Sequence, residues 1–382
     1  MKNIDELRNE IDTIDKEIVE LFKNRMAVST EVAKYKRDNN KPVLDRERER
    51  MLLNKVEELA GNDLGNYTRK LFCTIMELSK AYQNKLLSKG VLSNEIKHAI
   101  ENTQQLFPAK AIVACQGTEG AYSQIATDKI IQKPEIVYCK TFENVFIAVK
   151  DGIADFGIVP LENSTAGSVN QIYQLMSEYD FSITASTKIQ ISHCLLSKNG
   201  VKLENIKEIY SHQQAIDQCS EFLSTLSKDV KITACENTAE AARFLVRSDR
   251  NDIASLSSVD CASLYGLEIL KTNVQNTDNN YTRFICFSKN IQIYPGADKT
   301  SLLIKLPHHS GSLYQIISVF NSLNLNLLKL ESRAIPGSDF EFMFYFDVNV
   351  SIYSPEFLDM FNILENTVGA TNIKYLGSYR EI

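Results

Sequence analysis

The sequence predicts a multidomain protein with three kinds of region: all-α helical, then α/β and two-lobed, then α+β in βαββαβ order. Three observations carry this. Apolar residues keep a heptad alternation through the N-terminal stretch, strand–turn–helix units repeat through the middle, and strands and helices alternate in a fixed order at the end. At 382 residues the chain is longer than one hydrophobic core organises, which agrees with two or three domains.

In the first region the apolar residues from Ile4 to Tyr35 fall at 4, 7, 11, 14, 18, 21, 28, 32 and 35, and the skipped position is Arg25. A continuous helix from Ile4 to Asn39 would be about 54 Å long at about 1.5 Å per residue, far longer than a domain of roughly 90 residues is wide. It needs a partner along its length, most simply a second copy, so a homodimer or higher homo-oligomer is expected. Asn39-Asn40-Lys41-Pro42 ends this helix, and two shorter amphipathic helices follow near 46–60 and 67–89. The helical domain is placed at 1–90 and a polar, poorly patterned linker at 91–108.

From 109 to 289 the pattern changes. "AKAIVAC", "QGTEGAYS", "QIATDKII" and then "ADFGIVP", "LENSTAGS", "VNQIYQLM" each read as strand, polar turn, helix. Such repeats imply a mostly parallel sheet with ligands beyond the carboxyl ends of its strands, where helix N-termini offer N–H groups to anions. After a break at "NIQIYPGADKT", residues 298–382 give strand "TSLLIKL", helix "SLYQIISVFNSL", strands "NLLKLES" and "FEFMFYFDVNV", helix "PEFLDMFNILENTV" and strand "IKYLGSY", the ferredoxin-like order.

Bulk properties exclude several function classes. A net charge of −6 provides no broad basic field, which argues against nucleic acid and anionic membrane surfaces, so any anionic substrate must be held by locally placed cations. The N-terminus has no apolar core of signal-peptide type and no apolar run is long enough to span a bilayer, so a cytoplasmic protein is expected. The eight cysteines are scattered without a Cys-x-x-Cys pair, which reads as reduced buried thiols and no metal site. No Gly-x-x-x-x-Gly-Lys-Ser/Thr or Gly-x-Gly-x-x-Gly is present, so no nucleotide cofactor is expected.

Arg25 stands where the heptad demands an apolar residue, and a bare buried guanidinium is costly, so a carboxylate or an anionic ligand must neutralise it. Arg8 and Lys36 lie at the edge of the same stripe. The run "PVLDRERERM" would ordinarily be a solvated helix start, yet Arg48 precedes Leu52, Val56 and Leu59 at helical spacing, which turns it inward with Glu49 at its flank. Ser79 and Gln83 interrupt the apolar stripe of Phe72, Ile75, Met76 and Leu86. Singly each has an ordinary packing explanation; together they put positive charge and donors inside a helical core, which suits a small polyanion.

The spacing of Arg8, Arg25, Lys36, Asp45, Arg48, Glu49, Ser79 and Gln83 resembles the all-helical chorismate mutases. The resemblance implies an intertwined dimer in which Arg8 reaches the partner's site and the chain rearranges chorismate to prephenate. Arg8, Arg25 and Arg48 would take the carboxylates, Lys36 and Gln83 the ether oxygen, and Glu49 with Ser79 the ring hydroxyl, while Asp45 caps the second helix and orients its neighbours.

"IVPLENSTAGSV", "IYSHQQ", "LYGLEIL" and "NNYTRF", in this order, resemble prephenate dehydratases. The resemblance makes Thr282 the donor that protonates the departing ring hydroxyl. It makes Asn163, Ser164, Thr165 and Gln214 pocket donors, and Arg283 a group that places Thr282 or a substrate carboxylate. The turn "QGTEGAYS" brings Tyr122 and Ser123, and departs from the family pattern at Thr118 and Ala121. "SGSLYQ" and "LESRAIPG" resemble the phenylalanine-binding motifs of ACT regulatory domains, which implies effector contacts at Gly311, Ser312, Leu313, Glu331 and Ser332, with departures at Ser312 and Ala334. As a whole the chain resembles the bifunctional chorismate mutase/prephenate dehydratases with a C-terminal ACT domain. The competing expectations are a metabolite-sensing binding protein, whose two-lobed clamp and ACT domain accompany mutase activity alone, and an assembly protein whose heptads serve only dimerisation.

Overall fold

The computed structural model describes residues 2–39, 46–87, 91–308, 310–334 and 342–382. Two compact units are present: Met1–His98 with Leu302–Lys374, and Ala99–Ser301 with Tyr375–Ile382. In chain order, three helices come first: α1 (Ile4–Asp38), α2 (Arg46–Leu87) and α3 (Val91–Asn102). Then follow β1 (Lys110–Gln116), α4 (Tyr122–Ile130), β2 (Lys133–Cys139), α5 (Phe142–Lys150), β3 (Phe156–Asn163), the short β4 (Gly167–Ser168), α6 (Asn170–Glu178) and β5 (Ser182–Gln190). The next stretch holds β6 (Cys194–Ser197), β7 (Glu208–His212), α7 (Gln213–Gln218), α8 (Ser220–Ser224), β8 (Lys231–Cys235), α9 (Thr238–Arg247), β9 (Ile253–Ser257), α10 (Val259–Tyr265), β10 (Glu268–Lys271) and β11 (Tyr281–Ser288). The chain ends in β12 (Lys299–Leu306), α11 (Ser312–Ser322), β13 (Asn326–Ala334), β14 (Phe342–Asn349), α12 (Pro355–Val368) and β15 (Ile373–Glu381), the βαββαβ order that the sequence predicts.

In the first unit α1 opens on a capping box: Asn3 Oδ1 accepts from the Asp5 and Glu6 N–H groups, and the Glu6 carboxylate accepts from Asn3 N–H at 3.0 Å. Its apolar seam is not covered by the other described residues. Ile4, Ile11, Ile14, Ile18, Leu21, Val28 and Tyr35 are each more than half exposed, and Ala33 is the buried residue of the helix. The two helices expected near 46–60 and 67–89 are the two legs of α2, parted at Gly61, where φ 72 suits a residue without Cβ.

The expected linker at 91–108 is corrected by α3. Ser93, Ile96 and Ala99 recur every third residue and are buried, a pattern too short to stand out among polar neighbours. The start of α3 is also tied down at long range, by Leu92 N–H to Glu365 Oε1 at 2.7 Å and Ser93 Oγ to Asn362 Oδ1 at 2.9 Å.

The second unit has two lobes, each built on a sheet. One sheet runs β2-β1-β3-β11-β5, with the end of β15 beside β5; the other runs β10-β6-β9-β7-β8. Both are mixed rather than mostly parallel, because β11 runs antiparallel to β3 and β5, and β6 antiparallel to β9 and β10. The chain crosses between lobes twice, at 191–193 and at 272–280. Ile191, His193 and Asn280 on these crossings are buried. Polar side chains here lie at the seam between two cores, where backbone irregularity is tolerated and ligands are taken up.

Candidate active sites

A cavity of about 560 Å³ opens between α1 and α2. Asn24, Arg25, Ser29 and Lys36 line it from α1, and Arg48, Glu49, Ser79, Lys80 and Gln83 from α2. Six of the eight residues singled out by spacing therefore share one wall system. Arg8 does not reach it: its side chain is 69% exposed and pairs with Asp5 on its own helix at 3.4 Å. Asp45 lies outside the described residues.

Arg25 Nη1 donates to Ser79 Oγ at 2.5 Å, and among the described residues no carboxylate pairs with it. Partial burial pulls its pKa below the usual range, yet a guanidinium keeps its charge in proteins. Ser79 and Gln83 are buried. Among the described residues that line the cavity, four cationic side chains face one carboxylate, Glu49, which fits a dianionic ligand. Lys80 was not legible as a site residue, although it follows Met76 by four positions and so continues an inward stripe.

A second cavity, of about 480 Å³, lies between the lobes of the second unit. Tyr122, Ser123, Asn163, Gln214 and Thr282 line it as expected, joined by His193, His212, Gln218, Glu236 and Asn237. Its hydrogen bonds fix their own direction. Asn163 Oδ1 accepts from the Thr165 and Ala166 N–H groups at 3.0 and 2.8 Å, so Asn163 Nδ2 is the donor to Asn280 Oδ1 at 2.7 Å and to Thr282 Oγ1 at 2.9 Å. Asn280 Nδ2 then donates to Gln218 Oε1 at 3.0 Å, and Gln218 Oε1 also meets His193 Nε2 at 3.2 Å. An amide oxygen can only accept, so the proton of His193 sits on Nε2, and burial, which lowers its pKa, keeps the ring neutral at pH 7. The outcome is at Thr282: its oxygen is occupied as an acceptor and its own proton remains available.

Three expected residues do not face this cavity. Thr282 and Phe284 line it, so Arg283, between them on β11, points to the opposite face of the sheet, where it bonds Glu162 at 3.1 Å and the Tyr379 hydroxyl at 2.6 Å. Ser164 Oγ accepts from Tyr281 N–H at 2.9 Å and donates to the Asn279 carbonyl at 3.1 Å, and Thr165 holds Asn163 through its N–H. These side chains build the wall behind the donors. The Tyr122 hydroxyl donates to the Ser192 carbonyl at 2.5 Å on the lobe crossing, and burial pushes its pKa up.

No lysine or arginine lines the second cavity among the described residues, which corrects the expectation of locally placed cations for this site. Three helix N-termini open on it instead. Ala121, Val169 and Asn237 line the cavity and immediately precede α4, α6 and α9; Ala121 and Val169 make no side-chain cap. First-turn N–H groups lack intrahelical partners and carry the positive end of the helix dipole. The departure at Ala121 thus leaves the start of α4 open. Gly120 beside it is required, since at φ 86 a Cβ would stand 2.9 Å from Cys261 Sγ.

His193, Gln218, Asn280, Glu236 and Asn237 escaped sequence reasoning. The available signal was Gln218 one helical turn after Gln214; the other four come together only through the fold. In the C-terminal region Gly311 adopts φ 88 ahead of α11 and Ser312 is buried, with Leu313 half-buried. Glu331 on β13 is flanked on its own face by Lys329, at 3.3 Å, and by Arg333, and pairs with both; Ser332 alternates to the other face.

Comparison with known proteins bears on both cavities. The family model for chorismate mutase type II matches residues 7–84 and that for prephenate dehydratase matches residues 113–292. A bifunctional chorismate mutase/prephenate dehydratase of Buchnera aphidicola subsp. Acyrthosiphon pisum (strain APS) is 34% identical over 381 residues, 97% of this chain and 95% of that one. The chain belongs to the bifunctional chorismate mutase/prephenate dehydratases. The residues lining the first cavity all fall within the mutase match, and those of the second within the dehydratase match. Among solved structures, prephenate dehydratase in complex with L-Phe from Arthrobacter aurescens superposes with a TM-score of 0.64 at 25% identity, over 70% of this chain and 90% of that one. A structure described as GqqA, a quorum-quenching acylase, gives a TM-score of 0.63 at 29% identity, over 71% of this chain and 98% of that one. Among the described residues no helix of this mutase–dehydratase is long and apolar enough to cross a membrane.

Proposed function

We propose that this cytoplasmic mutase–dehydratase runs two consecutive steps of phenylalanine biosynthesis, in a helical domain at 1–90 and a two-lobed domain at 109–289, under control of a domain at 298–382. The observation that carries the reading is Thr282, whose oxygen accepts from Asn163 and whose proton is thereby aimed at a ligand. In prephenate dehydration the ring hydroxyl leaves as water while carbon dioxide departs and the ring becomes aromatic. Hydroxide is a poor leaving group, so a donor is needed at that oxygen, and the proton that Thr282 delivers is restored from solvent. The substrate carboxylates are met by the first-turn N–H groups of α4, α6 and α9, with Ser123 and Gln214 as further donors. An acylase reading finds no support in this arrangement, because the group bonded to Thr282 is an amide donor and not a base. Release of phenylpyruvate from supplied prephenate tests this half.

In the first cavity chorismate rearranges within one molecule, so catalysis consists of holding a folded conformer and stabilising charge on the ether oxygen. Arg25 and Arg48 take the carboxylates, Lys36 and Gln83 the ether oxygen, and Glu49 the ring hydroxyl, while Ser79 orients Arg25. Arg8 completes the site of a second copy. The exposed seam of α1 supports that assembly, since an uncovered heptad stripe of this length is a coiled-coil surface. Sedimentation at twice the chain mass is expected; a monomer at micromolar concentration contradicts the dimer.

The phenylalanine named with the Arthrobacter aurescens structure supports feedback control at the C-terminal domain. A ligand bound by the native state alone raises stability, so phenylalanine is expected to raise the melting temperature and slow dehydration together. An intact enzyme unaffected in both respects rules the effector out.

A further inference from the structure

We propose that Lys80 is a positioning residue of the mutase site: its ammonium neutralises Glu49, the one carboxylate among the described residues that line that cavity, and fixes the direction in which Glu49 meets bound chorismate. The inference rests on the mutase activity and extends it to a residue outside the spacing pattern that marks the site.

Lys80 Nζ lies 3.1 Å from Glu49 Oε1, with the two side chains 29% and 27% exposed, and both line the cavity beside Arg25, Lys36 and Arg48. The pair joins the two legs of α2, one residue before Gly61 and the other beyond it. Holding the legs together does not require it. Arg69 and Glu57 already bridge them at 2.9 Å, and Val56 and Met76 are buried. The pair instead stands where charge matters most.

A carboxylate in a cavity that accepts a dianion has two unwanted outcomes. It repels the incoming carboxylates, and it is drawn to Arg25, Lys36 or Arg48, the cations that must hold them. Lys80 answers both. It offsets the negative charge locally, and by engaging Oε1 it leaves Oε2, which has no partner among the described residues, free to accept from a ring hydroxyl. The position is one residue past Ser79, so Arg25 and Glu49 are each oriented by neighbouring side chains of the same helical turn.

The test uses the purified enzyme with both sites present. Lys80→Met keeps chain length and apolar bulk while removing the charge; KM for chorismate should rise about tenfold and mutase kcat fall several-fold, the scale expected for a displaced charged contact. Dehydration of supplied prephenate and the melting temperature should stay at their wild-type values. Lys80→Arg should restore most of the loss, and in a Glu49→Gln background Lys80→Met should add no further loss, because the residue acts through Glu49. Wild-type mutase constants for Lys80→Met, or fully additive losses with Glu49→Gln, overturn the proposal. If the methionine variant melts early, Lys80→Gln is measured against Lys80→Arg at matched folded fraction, and equal mutase rates in these two overturn it as well. A wild-type enzyme that dehydrates prephenate but never rearranges chorismate identifies the separate failure of the mutase assignment.

Discussion

Replacing Thr282 by valine should lower phenylpyruvate formation by about 10² to 10⁴, the range that a positioned proton donor contributes, with mutase turnover unchanged. Valine keeps the β-branched shape at a buried site on β11, so the strand and its packing persist. What disappears is the hydroxyl, and with it the acceptor for one of the Asn163 Nδ2 protons. Asn163 stays fixed by the Thr165 and Ala166 N–H groups and by Asn280, so the wall of the cavity is preserved while the donor is lost. From chorismate, such an enzyme should therefore accumulate prephenate. Thr282→Ser should keep part of the rate, because a serine hydroxyl can accept from Asn163 in the same way. Near-normal dehydration by the valine variant rules out Thr282 as the donor.

Arg25→Ala should reduce mutase turnover by about 10² or more, the scale for loss of one preorganised charge contact. Arg25 is partly buried, is bonded to Ser79 and has no carboxylate partner among the described residues, so its charge is held ready for a ligand. Arg25→Lys is expected to recover little, since an ammonium cannot serve Ser79 and a substrate carboxylate with a planar fork. Dehydration of supplied prephenate reports on folding in the same sample and should be retained. Equal loss of both activities means global damage and removes the support for a ligand contact.

Periodic features were legible in the sequence, and features made by tertiary closure were not. The heptad exposed Arg25 because a cation in an apolar register is an anomaly that one helix suffices to reveal. Gly61 falls at the boundary that the amphipathic pattern set between the two legs of α2. The strand period also predicts that Thr282 and Arg283 face opposite ways, and treating both as ligand contacts overlooked it; the structure gives Arg283 to Glu162 and Tyr379. The His193–Gln218–Asn280–Asn163 chain was out of reach, since its members come from a lobe crossing, a helix, a second crossing and a strand end. Charge counting failed at the dehydratase cavity for a related reason: the positive ends of α4, α6 and α9 are backbone properties and leave no mark in the composition. Lys80 carries no mark of a site residue in the sequence, because its place is set by Glu49 on the other leg of α2.

The central claim is that one chain performs both conversions at two separate sites. Its most direct test follows chorismate, prephenate and phenylpyruvate over time with the purified protein and chorismate as sole substrate. The account predicts that chorismate is consumed, that phenylpyruvate forms, that Thr282→Val stops the sequence at prephenate and that Arg25→Ala slows it before prephenate. Chorismate consumption without phenylpyruvate from the unmodified protein, or loss of both steps from either single substitution, contradicts it.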